Sequence, residues 1–378
     1  MKFFQFILIP LFILLFFANS KLILAQDGSA PNITQPDTLE ARVDKIIEEK
    51  EVKFAGSQNY QLYQKLELIV TKGSLQGQKI VVENGNLPAS NVSKYRIGDN
   101  VIVMHNKDFQ NNDVFYITDF IRREVLFFLF LIFITCTIAI AKWRGLLSLI
   151  GMAVSFLIIF VFLLPQIASG ANPVLIAVLS SLLIIPISFF LSHGFNKKTL
   201  VAIAGTLISL IITGILANLF VSESRLTGFA SEEASFLQAA KQGTINIQGL
   251  LLAGIIIGVL GVLDDITISQ SAIVFQLKAT KNKIQFGDLY TKAMNIGRDH
   301  ISSMVNTLIL VYAGAALPLL LLFIDNPHPF SEIVNYEIIA DEIVRTLVGS
   351  IGLILAVPIT TFIATWIALR WNHDASKS

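Results

Sequence analysis

Charged side chains are scarce in this chain. Asp, Glu, Lys and Arg make up 15% of its 378 residues, where a soluble domain carries about 25%. That content leaves too little polar surface for a water-soluble globule of this length. Neither sign is in excess, with 28 Lys and Arg against 27 Asp and Glu, so no general attraction to nucleic acid or to acidic surfaces follows. Cysteine is nearly absent: Cys136 stands alone inside the apolar run FFLFLIFITCTIAIA. It forms no internal disulfide, and no Cys/His cluster suggests zinc. Neither a metal nor a cofactor is expected.

What fills the chain instead is apolar, 54% by count with a mean hydropathy of +0.68. An integral membrane protein with the lipid bilayer as its main partner is expected. Residues 1–25 combine Lys2 with an apolar run to Ala18 and read as a signal peptide or an N-terminal membrane anchor. Either places the following residues outside the cytoplasm.

Residues 26–39 are a polar, proline-containing linker, after which residues 40–122 change character. ARVDKIIEE, YQLYQKLELIVTKG, GQKIVVENG, YRIGDNVIVMHN and DVFYITDFIRR are short, Val/Ile/Tyr-rich and separated by Gly, Asn and Asp turns. Five such strands predict a small β-barrel of OB or SH3-like type. Acidic residues are mixed through it and no basic aromatic platform is present. A protein partner, and no nucleic acid, is expected there.

Residues 123–371 form the expected transmembrane domain, with apolar segments at 125–141, 145–164, 174–192, 199–220, 247–270, 302–323 and 343–369. The predicted fold is therefore mostly α: a seven-helix membrane bundle, an extra N-terminal signal or anchor helix, and the extracytoplasmic β domain. Lys142 and Arg144, Lys197 and Lys198, the basic stretch Lys278 to Arg298, and Arg370 fall on one side of these segments. The positive-inside rule makes that side cytoplasmic. Residues 40–122 then lie outside a multi-pass cell-membrane protein, and the tail 372–378 lies in the cytoplasm.

The segment LLLAGIIIGVLGVLDDITISQSAIVF, residues 250–275, reads as a membrane helix until Asp264 and Asp265. A central Asp costs roughly 2.5 to 3.5 kcal/mol on insertion scales, against about 0.3 to 0.6 returned by each Leu, Ile or Val. Such acids need shielding, pairing, protonation or water. Two adjacent carboxylates in low dielectric also resist double ionisation. A proton or small-cation site is one reading, and a hydrogen-bonded polar kink is the other. At 100° per residue, Gly254, Gly258, Gly261, Asp265 and Ser269 share a seam, with Asp264 and Thr267 on the adjacent stripe. Gly254 and Gly258 form a G-x-x-x-G pair suited to close helix approach.

In GRDHISSMVNTLILVY, the residues His300, Ser303, Asn306 and Thr307 occupy overlapping faces and could reach the acids from an antiparallel helix. In GSIGLILAVPITTFIATW, Gly349, Gly352 and Pro358 offer packing and a hinge. Adjacent aspartates point about 100° apart, unlike the facing pair of an aspartyl protease, so no enzyme is expected.

The stretches WRGLLSLIGMAVSF, SHGFNKKTLVAIAGT, LGVLDDITISQ, IGRDHISSMVNTLILVYAGAALPLLLL and VRTLVGSIGLILAVPITTFIA occur in that order. Together they resemble the YibE/F family of bacterial polytopic membrane proteins over about residues 40–370, which implies the architecture and no particular activity. The order of an intramembrane Asp, a basic stretch and a Ser/Thr-bearing helix is also similar to the RND-type permease unit of SecD/SecF proteins. Two functions stand open: an ion- or proton-coupled permease using the Asp pair, and a non-transporting envelope scaffold or accessory protein that presents the outer β domain to a partner.

Overall fold

The computed structural model describes residues 37–374 apart from 55–59, 90, 109, 111, 282 and 325–327, with side chains described as far as residue 370. The expected signal or anchor at 1–25, most of the linker, and the tail beyond residue 374 lie outside the described residues. Two compact units emerge, Met1–Phe130 and Leu131–Ser378.

The first unit holds β1 (Asp37–Val52), β2 (Gln61–Lys72), β3 (Lys79–Asn84), β4 (Asn100–Lys107) and β5 (Asp113–Phe120). They form one antiparallel sheet in the order β3-β2-β1-β4-β5. Period-two alternation puts Leu39, Ala41 and Val43, Leu66, Leu68 and Val70, Ile80 and Val82, and Val101 and Val103 into one core. Because Leu39 belongs to that core, β1 starts at Asp37, inside the segment expected to be linker. β1 pairs with β4 only through Asp37–Arg42 but follows β2 to Val52, with register shifts at Val43/Lys45 and Ile46/Glu48. Such bulges bend a strand, and the sheet curls enough to bring its edge strands β3 and β5 near each other. The fully buried Gln64 donates to Tyr95 O and accepts from Tyr95 N, at 3.0 and 2.9 Å. It thereby fixes the loop that crosses the core.

The helices among the described residues are α1 (Arg123–Ala168), α2 (Pro173–His193), α3 (Lys197–Glu223), α4 (Glu232–Ala240), α5 (Ile247–Thr280), α6 (Phe286–Ala315), α7 (Leu317–Ile324), α8 (Phe330–Ile333) and α9 (Glu337–Asp374). Among the described residues α1, α2, α3, α5 and α9 are long and apolar enough to cross a membrane, and the bent pair α6/α7 passes the same test jointly. The first two expected segments both lie in α1. That helix breaks at Lys142 (φ 51°, ψ −130°). A Cβ on Gly145 would stand 2.5 Å from the Thr137 carbonyl oxygen, although a straight helix holds those positions about 12 Å apart. The chain therefore turns sharply here.

The expected segment 302–323 is not straight either. Helix α6 begins at Phe286, and α7 departs from it by 70° after Ala316. Pro318 explains the break, since it has no N–H for the Gly314 carbonyl. Helix α5 sits at the centre of the second unit, packed against α2, α3, α6 and α9. Leu263 and Ile266 are fully buried in its core. Asparagine caps open three helices: Asn172 accepts from Val174 N and Leu175 N, Asn196 from Thr199 N, and Asn246 from Gly249 N.

Candidate functional site

Asp264 lies at mid-length of α5, partly buried. Among the described residues its carboxylate receives one side-chain hydrogen bond, from Ser188 Oγ of α2 to Oδ2 at 3.5 Å. Among the described residues no Lys or Arg pairs with it. The group borders a cavity of about 190 Å³ whose other walls include Ser155 of α1, Ser188 and Phe189 of α2, and Ile257, Leu260 and Gly261 of α5. A carboxylate with one long hydrogen bond, no counter-charge and space beside it has unused acceptor capacity. Capture of a proton or a small cation is the chemistry open to it.

Asp265, one residue on, is exposed, as are Gly254, Gly258 and Gly261 on the same seam. A Cβ at Gly254 or Gly261 would meet nothing within 4 Å, and one at Gly258 would meet only the Tyr312 hydroxyl at 3.8 Å. Among the described residues no helix of this chain approaches the seam closely. The close approaches are elsewhere. A Cβ on Gly205 of α3 would collide with Thr360 of α9, and one on Gly352 of α9 with Thr213 of α3. Gly297 of α6 meets Val357 at 2.6 Å and Gln270 Nε2 at 2.9 Å in the same sense. A Cβ on Gly349 would stand 3.3 Å from Val259.

Thr267 is fully buried and bonds Thr206 Oγ1 of α3 at 2.7 Å and Leu263 O at 2.9 Å, so its hydroxyl does not reach a carboxylate. Ser271, one turn further, donates to Lys198 O at 2.8 Å. The stripe of Asp264, Thr267 and Ser271 thus borders α2 and α3. Ser269 is half-buried. Near Pro358, Thr361 donates to Val357 O at 2.6 Å and accepts from Gln270 Nε2 at 2.7 Å, while Gln270 also donates to Ala293 O at 3.0 Å. One glutamine therefore ties α5, α6 and α9 together beside the proline. Its Oε1 is buried without a partner.

The expected partners on α6 are not joined to the acids. Gly297 beside Gln270 and Tyr312 beside Gly258 set an antiparallel register, which brings Ser303 to Thr307 level with Asp264 and Asp265. Yet Ser303, Asn306 and Thr307 are exposed, and Thr307 donates to Ser303 O at 3.0 Å. His300 is half-buried. His193 closes α2, where the charges of Lys198, Arg144 and Asp265 act on it.

Sequence reasoning missed Ser155, Ser188, Thr206, Gln270 and His193. A serine in an apolar run is ordinary, and no periodicity marks which one will face an acid on another helix. Among the described residues no group of three His, Cys, Asp or Glu could hold a metal.

Residues 129–370 match the family model described as YibE/F-like protein. No curated protein and no solved structure matches the chain.

Proposed function

The chain belongs to the YibE/F family, and from that premise we propose that it is an ion- or proton-coupled permease of the cell membrane with Asp264 as the coupling group. The observation that carries this reading is the Asp264 carboxylate in mid-helix, bonded among the described residues only by Ser188 at 3.5 Å and open to a cavity of about 190 Å³. A structural carboxylate in lipid would be expected to have a cation or several donors around it. Asp265 and His193 are the titratable neighbours through which the site would communicate with the basic end of the bundle.

The reading includes a seven-span topology. The turn at Lys142 supports two spans within the 46 residues of α1, and the bent pair α6/α7 supports one more. Lys142, Lys197, Lys198, Lys278, Lys281 and Arg370 cluster at one set of helix ends, and Glu223, Glu232, Glu337 and Asp341 at the other. By the positive-inside rule the basic ends are cytoplasmic and the β domain is outside. The strand order with neighbouring β3 and β5 edges supports an OB-like barrel. Solute-dependent proton flux in proteoliposomes tests the function. The wild-type chain is expected to carry it and Asp264→Asn to abolish it; equal flux in both rejects Asp264 as the coupling group.

A scaffold role has its own support. The β domain is a separate compact unit with Tyr60, Leu87 and Ile97 each about two-thirds exposed. On that reading, deletion of the domain removes function while Asp264→Asn preserves it.

A further inference from the structure

A second, larger cavity of about 740 Å³ lies between α1, α4, α5, α7 and α9. Small-molecule sites measure roughly 300 to 1,000 Å³. One side is apolar, formed by residues such as Leu163, Ile167, Leu250, Ile257 and Leu319. The other carries Glu232 and Glu233 from the first turn of α4 and Asp341, Glu342 and Arg345 from α9. Four carboxylates thus face one guanidinium.

Asp341 is only 7% exposed. Its Oδ2 accepts from Arg345 Nη2 at 3.4 Å, and Arg345 Nε stands 3.8 Å from Glu342 Oε1. The second oxygen of Asp341, Oδ1, is buried without a hydrogen-bond partner. A buried charge that is only partly paired is costly, and a further cation would offset that cost. The carboxylates nevertheless do not converge. Among the described residues no trio of His, Cys, Asp or Glu is close enough to hold a metal ion. The wall therefore suits an organic cation whose body contacts the apolar side.

We propose that this cavity binds an amphiphile with a cationic head, of the ammonium or phosphonium type, on an apolar body. The head occupies the end formed by Asp341, Glu232 and Glu233, and the body lies along α5 toward Ile257. Ile257 also lines the Asp264 cavity, so the two spaces are neighbours. The binding site does not depend on Asp264 being a coupling group. The amphiphile is either a lipid with an amine headgroup or a soluble solute.

The test is equilibrium binding to the full chain in nanodiscs containing a fixed share of phosphatidylglycerol. Tetraphenylphosphonium is the probe, and tetraphenylborate is the anion of the same shape. Saturable, single-site binding of the cation alone is expected. Asp341→Asn and the Glu232→Gln/Glu233→Gln double variant should each weaken it about tenfold or more, equivalent to about 1.4 kcal/mol. Glu232 and Glu233 are exposed on a short helix, so their replacement leaves the fold intact even if Asp341→Asn does not. Asp264→Asn should bind as the wild type does, which separates this site from the coupling reading. Equal binding of tetraphenylborate, or undiminished cation binding by the double Gln variant, overturns the proposal. With phosphatidylethanolamine as the remaining lipid, loss of probe binding relative to a neutral glucosyl-diacylglycerol identifies the lipid headgroup as occupant. Unchanged binding identifies a soluble solute.

Discussion

Thr213 of α3 fills the space that a Cβ on Gly352 of α9 would need, and Thr360 of α9 does the same to Gly205 of α3. The two pairs are reciprocal and fix an antiparallel register between these helices. Thr213 is immobilised by its own bond to Ser209 O at 2.7 Å, so it cannot easily yield.

Gly352→Ala and Gly205→Ala should therefore each destabilise the protein by about 1 to 3 kcal/mol through overpacking. Thr213→Ala in the Gly352→Ala background should recover part of the loss. Gly254→Ala and Gly261→Ala should stay within about 0.5 kcal/mol of wild type, because nothing stands within 4 Å of a Cβ there. Thermal unfolding of the purified protein in detergent checks all five variants.

Removing a charge has opposite consequences at two aspartates. Asp264 has no cationic partner among the described residues, so Asp264→Asn strands no charge and should keep the wild-type melting temperature while losing transport. Asp341 is paired with Arg345 at 3.4 Å. Arg345→Gln leaves Asp341 alone and should cost about 1 to 3 kcal/mol, less than the full penalty of a deeply buried pair because Arg345 is partly solvated. A melting experiment on the two variants side by side separates these cases.

Glu40 of β1 accepts from both Nη atoms of Arg123, at 2.7 and 2.6 Å. Those hydrogen bonds hold its carboxyl below the ordinary 4.5, and the charges of Arg123 and Lys72 add to the effect. A carboxylate with a lowered folded pKa stabilises the native state above its unfolded value and ceases to as pH falls through the lower folded one. The pair should contribute only modestly at neutral pH, given the exposure of Arg123. Its contribution should disappear in acid below pH 4.5. Unfolding of the full chain should show Glu40→Gln destabilised at pH 7, with the difference from wild type shrinking as pH falls below 4.5.

Topology is open to chemical labelling. In a Cys136→Ser background, a cysteine at Asp113 should react with an impermeant maleimide on intact cells. One at Lys281 should react only after permeabilisation. The reverse pattern contradicts the orientation drawn from the basic helix ends.

The sequence alone determined the parts set by local pattern and by solvent. Period-two alternation from Leu39 to Val103 carries the first four strands. The paucity of charge and the long apolar runs require a membrane, and the isolated carboxylates marked Asp264 and Asp265 as costly positions. Pro318 is also present in the chain, but only the helix that α6 begins at Phe286 shows that it bends a span. Tertiary structure decided which side of α5 packs. The glycine seam has the right spacing yet faces open space, whereas Gly205, Gly297 and Gly352 receive Thr360, Gln270 and Thr213 from other helices. It also gave Asp264 a donor, Ser188, from a helix distant in sequence. Spacing along one helix specifies which residues share a face; it carries no information on what stands opposite, because that depends on the register between helices and on the turns that set it.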